Sequence, residues 1–139
     1  MTSTLQQLIQ SFANNPKKLF LVDGVGASLS AFFLLALVYN FETYFGMPSL
    51  TVMNLAVIAI CFALYSFTCA FRIKRIIRLN LIIICIANLL YCLITTILAV
   101  KHHTQLTTLG KVYFIGEILI ILALVWIEAK TIKEMKSHK

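Results

Sequence analysis

Four long apolar stretches constrain this chain more than any other feature: Leu19–Val38, Leu50–Phe71, Leu79–Val100 and Leu109–Ile127. An α-helix needs about 20 apolar residues to cross a ~30 Å hydrocarbon layer. Each stretch meets that length with at most two ionisable residues inside it. Of 139 residues, 60% are hydrophobic and 12% charged, more apolar surface than a water-soluble domain of this size can hide. Membrane β-barrels use short alternating segments, whereas these runs are continuous. The expected fold is all-α: an integral membrane, antiparallel up-down bundle of four transmembrane helices, with neighbours set antiparallel by short connections.

Charge supplies an orientation. Lys17, Lys18, Arg72, Lys74, Arg75, Arg78, Lys130, Lys133, Lys136 and Lys139 fall on one side of such a bundle, and only Lys101 and Lys111 on the other. By the positive-inside rule both termini are expected in the cytoplasm. The net charge of +7 then reports topology, and no nucleic-acid partner is implied. Anionic lipid headgroups are the natural partners of the loop "FRIKRIIRLN", through Arg72, Lys74, Arg75 and Arg78. The first 18 residues lack an apolar core with a small-residue cleavage site, so the first stretch is expected to remain as an anchor.

Ahead of that stretch, Leu5, Leu8, Ile9 and Phe12 recur at the spacing of one helical face. Ser3 and Gln6 match a capping box, and Asn14-Asn15-Pro16 ends the helix. Residues 1–16 are therefore read as a short N-terminal amphipathic helix. It either lies on the cytoplasmic membrane face or docks on the bundle's own inner end. Residues 17–130 form the bundle, and 131–139 form a basic cytoplasmic tail that prolongs the fourth helix. The aromatic loop "YNFETYFGMPS" suits the headgroup level. His102 and His103 are adjacent in a short polar loop and do not converge on a metal.

Polar residues inside the spans are the candidate functional residues. Membrane helices associate through close packing and hydrogen bonds. Small residues line one face of helix 1 (Gly24, Ala27, Ser28, Ala31) and of helix 2 (Ala56, Ala59, Ala63, Ser66, Ala70). A second stripe on helix 2, Asn54, Ile58, Cys61, Tyr65 and Thr68, points about 200° away, so one stripe packs inside and the other faces a second copy or a partner. Helix 3 has a polar seam of Cys85, Asn88, Cys92 and Thr95, expected to face protein. On helix 4, Tyr113, Glu117 and Glu128 share a face.

Asp23 and Glu117 place carboxyl groups within spans, where an Asp costs at least ~2.5–3.5 kcal/mol on insertion scales. No Lys or Arg inside the apolar core offsets them. Each is either neutral and hydrogen-bonded or wetted by a cavity. Counted along the helices, Glu117 falls in a polar layer with Asn54 and Thr95, while Asp23 lies near Ser66 and Thr68. Asn88 falls near the middle, with Tyr91 toward the outer side. The candidate intramembrane site is Glu117, Asn54, Asn88, Tyr91, Thr95 and Asp23, acting as interhelical glue or as a proton- or ligand-handling pocket.

Cys61, Cys69, Cys85 and Cys92 all lie within spans and are read as free thiols. A quinone-linked thiol oxidoreductase would need cysteine pairs at the outer face. There is no HExxH, GxSxG or phosphate-binding loop, so no catalytic, metal or cofactor site is expected. The reading is a small binding or transport module with a polar pocket around Glu117. The alternative is a non-catalytic accessory or scaffold subunit that docks on a larger membrane protein or forms a homo-oligomer.

The segments "LFLVDGVGASLSAF", "FGMP", "YSFTC", "IANLLYC", "LTTLG" and "YFIGEI" together resemble a family of small uncharacterised bacterial four-helix integral membrane proteins. The resemblance spans residues 17–128. It implies a four-helix fold in the bacterial cytoplasmic membrane and no activity, substrate or catalytic residue.

Overall fold

The computed structural model describes residues 2–72 and 76–137. Lys74, Arg75 and Lys139, counted above among the basic residues, lie outside the described residues. Everything regular in the described residues is helical. Helix α1 is Thr2–Asn14, α2 is Pro16–Phe33, α3 is Glu42–Phe45, α4 is Ser49–Arg72, α5 is Ile77–Lys101 and α6 is Thr108–Ser137. Four of them contain segments long and apolar enough to cross a membrane: Pro16–Ala36, Ser49–Arg72, Ile77–Lys101 and Thr108–Met135. They fit a multi-pass membrane protein.

Local chemistry sets the boundaries. Pro16 opens α2, where its missing N–H costs nothing. At its far end α2 widens into a π-helical stretch, Leu34–Tyr39. The Asn40 side chain closes it, its Nδ2 donating to the carbonyls of Leu35 at 2.6 Å and Ala36 at 3.2 Å. Helix α3 stops at Gly46, whose φ of 76° is left-handed. Its flank is tied to the α5–α6 connection: the Thr107 amide donates to the Phe45 carbonyl at 3.2 Å and the Thr107 hydroxyl to the Tyr44 carbonyl at 2.5 Å.

Helix α2 packs extensively on α4, and α5 on α6, whereas α4 meets α5 more sparingly and α2 barely touches α6. Ala56, Ala59, Ala63, Ser66 and Ala70 of α4 are buried, while Asn54, Cys61, Tyr65 and Thr68 are exposed. The small stripe therefore faces the bundle interior and the polar stripe faces outward. Small side chains let α2 approach closely; a Cβ on Gly24 of α2 would fall 2.9 Å from the Phe67 ring of α4.

Two apolar clusters fill the bundle. One, near the α2–α4 and α5–α6 connections, joins Leu34, Val38, Met47, Leu55, Leu106 and Phe114. The other joins Leu19, Phe20, Cys69, Ala70, Leu81 and Ile84, with Phe12 of α1 and Ile132 and Met135 of α6 packed against it. Ile9 of α1 is buried, while Leu5 and Leu8 are exposed. From residue 131, α6 continues to Ser137, and Thr131 is fully buried, its hydroxyl donating to the Ile127 carbonyl at 2.9 Å.

Candidate functional site

Between the two apolar clusters lies a buried polar network to which each of the four long helices contributes. Asp23 comes from α2, Ser66 from α4, Asn88 from α5 and Glu128 from α6, and all four are buried. The Ser66 hydroxyl donates to one carboxyl oxygen of Asp23. Asn88 Nδ2 donates to the other, Asp23 Oδ1, at 2.6 Å and to Glu128 Oε1 at 3.2 Å. One amide thus bridges two acidic side chains. The second oxygen of Glu128, Oε2, has no partner among the described residues.

Glu117 forms a separate pair. It is 8% exposed, and its Oε1 accepts from the Tyr91 hydroxyl at 3.3 Å. Tyr91 is held edge-on by Phe62 of α4, ring centroids 6.1 Å apart. The other carboxyl oxygen, Oε2, is buried with no partner among the described residues. In hydrocarbon an unpaired polar atom is expensive, and this one borders open space.

That space is a cleft of about 500 Å³ between α2 and α6, within the range of small-molecule pockets. It follows from the poor contact between these two helices. One wall is the α2 face Gly26, Ala27, Ser30 and Phe33; the other is the α6 face Tyr113, Gly116, Ile120 and Ile121. Asp23, Asn88 and Glu117 are its acidic and amide-bearing members. Gly26 and Gly116 are the two glycines of its walls, and a Cβ on either would meet nothing within 4 Å. Leu29, Val112 and Ile120 also line the cleft while remaining exposed on the bundle surface, so its mouth opens sideways, where acyl chains surround a spanning helix.

The structure brings together four of the six residues singled out from sequence, in two pairs. Asp23 and Asn88 meet directly, and Tyr91 meets Glu117. Thr95 is fully buried on the same seam of α5, but its hydroxyl has no partner among the described residues. Asn54 is exposed on the outer face of α4, so it is not part of a layer with Glu117. The reason is rotational: Asn54 lies two residues, about 200°, from the alanine stripe that packs inward. Thr68 is likewise exposed and spends its hydroxyl on the Leu64 carbonyl of its own helix, at 2.7 Å; Ser66 is the partner of Asp23.

Glu128 was absent from that set because it sits one residue beyond the apolar stretch. Its signal was present in its position on the Glu117 face, 11 residues on. The four cysteines are free. Cys85 and Cys92 point their thiols at the Val125 and Ile118 carbonyls of α6, at 3.8 and 3.9 Å, which suits packing rather than redox pairing. No group of three or more His, Cys, Asp or Glu side chains converges to hold a metal among the described residues. Compared with protein-family models, with curated proteins and with solved structures, the chain matches none.

Proposed function

We propose that this protein is a small membrane binding or transport module that admits a lipid-soluble molecule sideways into the α2–α6 cleft and holds its polar end at Glu117. The observation behind this reading is the unpartnered, buried Glu117 Oε2 on the wall of a ~500 Å³ cleft. Glu128 also leaves one oxygen unpartnered, but of the two only Glu117 lines the cleft. The helices are read as an antiparallel up-down bundle. Support comes from the paired positions: residue 23 of α2 meets 66 of α4, while 85 and 92 of α5 meet 125 and 118 of α6. The bundle is placed in the bacterial cytoplasmic membrane with both termini inside. The basic residues at helix ends, Arg72 and Arg78 among them, meet anionic headgroups.

Chemical labelling tests this directly. A hydrophobic carbodiimide partitions into lipid and adds to a protonated carboxyl: the acid proton moves to nitrogen and the carboxylate oxygen bonds to the central carbon. In lipid nanodiscs it is expected to modify Glu117, seen as one adduct mass on the peptide containing residue 117. A water-soluble carbodiimide is expected to leave Glu117 unmodified. No adduct at Glu117 from the hydrophobic reagent would show that the cleft is closed to lipid-borne molecules.

A further inference from the structure

We infer that the cleft selects a lipophilic cation: an ammonium-type or similar positive centre within an apolar shell, paired with the carboxylate of Glu117. This assignment rests on the lateral binding reading above and narrows it to one ligand chemistry.

The ionisable carboxyl groups of the cleft are matched to a positive charge. Three acidic side chains, Asp23, Glu117 and Glu128, are buried in this part of the bundle. No lysine, arginine or histidine occurs between residues 19 and 71, 79 and 100, or 112 and 129, and none lines the cleft. Of the donors beside the acids, Asn88 Nδ2 is committed to Asp23 and Glu128 and the Tyr91 hydroxyl to Glu117, which leaves the neutral hydroxyls of Ser30 and Tyr113 on the cleft wall. Hydroxyls offer an anionic headgroup no counter-charge, and an anion would face the acids with no cationic side chain beside it. A cation meets an unengaged carboxyl oxygen in a low-dielectric wall, where opposite charges attract far more strongly than in water.

The walls argue for bulk around that charge. Gly26 and Gly116 occupy helix interiors, where glycine is a poor helix former, and neither is there to admit a neighbouring backbone, because nothing lies within 4 Å of either missing Cβ. What they leave is room. The rest of the lining is mainly hydrocarbon and aromatic: Leu29, Phe33, Ile120, Ile121 and Leu124. A small hydrated cation would lose its water and gain one carboxylate; a cation with an apolar shell gains the walls as well.

The proton balance is explicit. With the cleft free of a cation, hydrocarbon tolerates Glu117 as the neutral acid. As the cation arrives, the carboxyl proton leaves to solvent and the carboxylate pairs with the ligand, releasing one H⁺ for each cation bound.

Three probes with related shells separate the possibilities in nanodiscs: tetraphenylphosphonium (cationic), tetraphenylborate (anionic) and triphenylphosphine oxide (a neutral acceptor). Tetraphenylphosphonium is expected to block carbodiimide labelling of Glu117, to bind at least about tenfold tighter than either other probe, and to release protons in weakly buffered solution. Glu117→Gln should abolish cation binding and proton release with the thermal midpoint retained. Gly116→Leu, which fills the cleft without touching the carboxyl, should also abolish binding. Equal protection by borate or by the phosphine oxide overturns the cation assignment, and so does binding that survives in both variants. Failure of Glu117 to label in the absence of any probe removes the lateral cleft itself, a distinguishable outcome.

Discussion

Asn88 holds the central position in the buried network because an amide nitrogen has two protons and here each serves a different acid. Interhelical hydrogen bonds in membranes contribute about 0.6 kcal/mol on average and up to ~1.7. Asn88→Ala removes two of them and leaves the carboxyls of Asp23 and Glu128 facing one another, so it is expected to lower stability by ~1–3 kcal/mol. Ser66→Ala removes one and is expected to cost about 1 kcal/mol or less. Helicity followed through thermal unfolding in mild detergent checks the order; equal midpoints for the two variants would contradict the bridging role. The acids are legible in the sequence as anomalies in hydrocarbon, and their partners only in part. Depth counted from flanking charges sets Ser66 and Thr68 beside Asp23, and Asn54 and Thr95 beside Glu117, without choosing between them. Which face of α4 turns inward depends on packing against α2, and the alanine stripe decided it. Glu128 is hidden for a different reason: hydropathy ends the fourth span at residue 127, while the helix and its burial continue past it.

Helices and their approximate limits follow directly from apolar length, which is why all four spans are readable in the sequence. The openings between helices were not, because a glycine in sequence means either close approach or spare room. The structure separates the cases. Gly24 faces the Phe67 ring, with a Cβ position 2.9 Å from its nearest carbon. Gly26 and Gly116 face open space. Gly46 has φ of 76° and its Cβ position runs into the Gln105 backbone. Alanine at Gly116 is expected to be neutral or to stabilise by up to ~1 kcal/mol. Gly24→Ala is expected to destabilise by ~1–3 kcal/mol as the ring is displaced. Gly46→Ala adds an unfavourable left-handed conformation, ~1–2 kcal/mol, to a backbone clash, and is expected to be the least stable. Thermal midpoints of the three variants give this ranking; a loss at Gly116 as large as that at Gly24 would mean the α2–α6 cleft is packed rather than open.

At the scale of the molecule, the described helices pack as two pairs, α2 with α4 and α5 with α6, each with extensive internal contact. They join through the Asp23–Ser66–Asn88–Glu128 network, the Thr107 ties to Tyr44 and Phe45, and the seat of α1 on α6. The cleft lies where the first and last long helices stand side by side with little direct contact. The contacts that join the two pairs are expected to hold them together even when the covalent link between Arg72 and Ile77 is cut. Fragments 1–74 and 75–139, expressed together in one membrane with an affinity tag on the first, are expected to copurify. The reassembled pair is expected to show the same carbodiimide adduct at Glu117 as the intact chain, because both walls of the cleft are rebuilt. Asn88→Leu in the second fragment removes the amide bridge and places hydrocarbon between two acids, so recovery of that fragment is expected to fall several-fold. Fragments that insert separately and never copurify would show that the connection, and not the buried polar contacts, holds the two halves together.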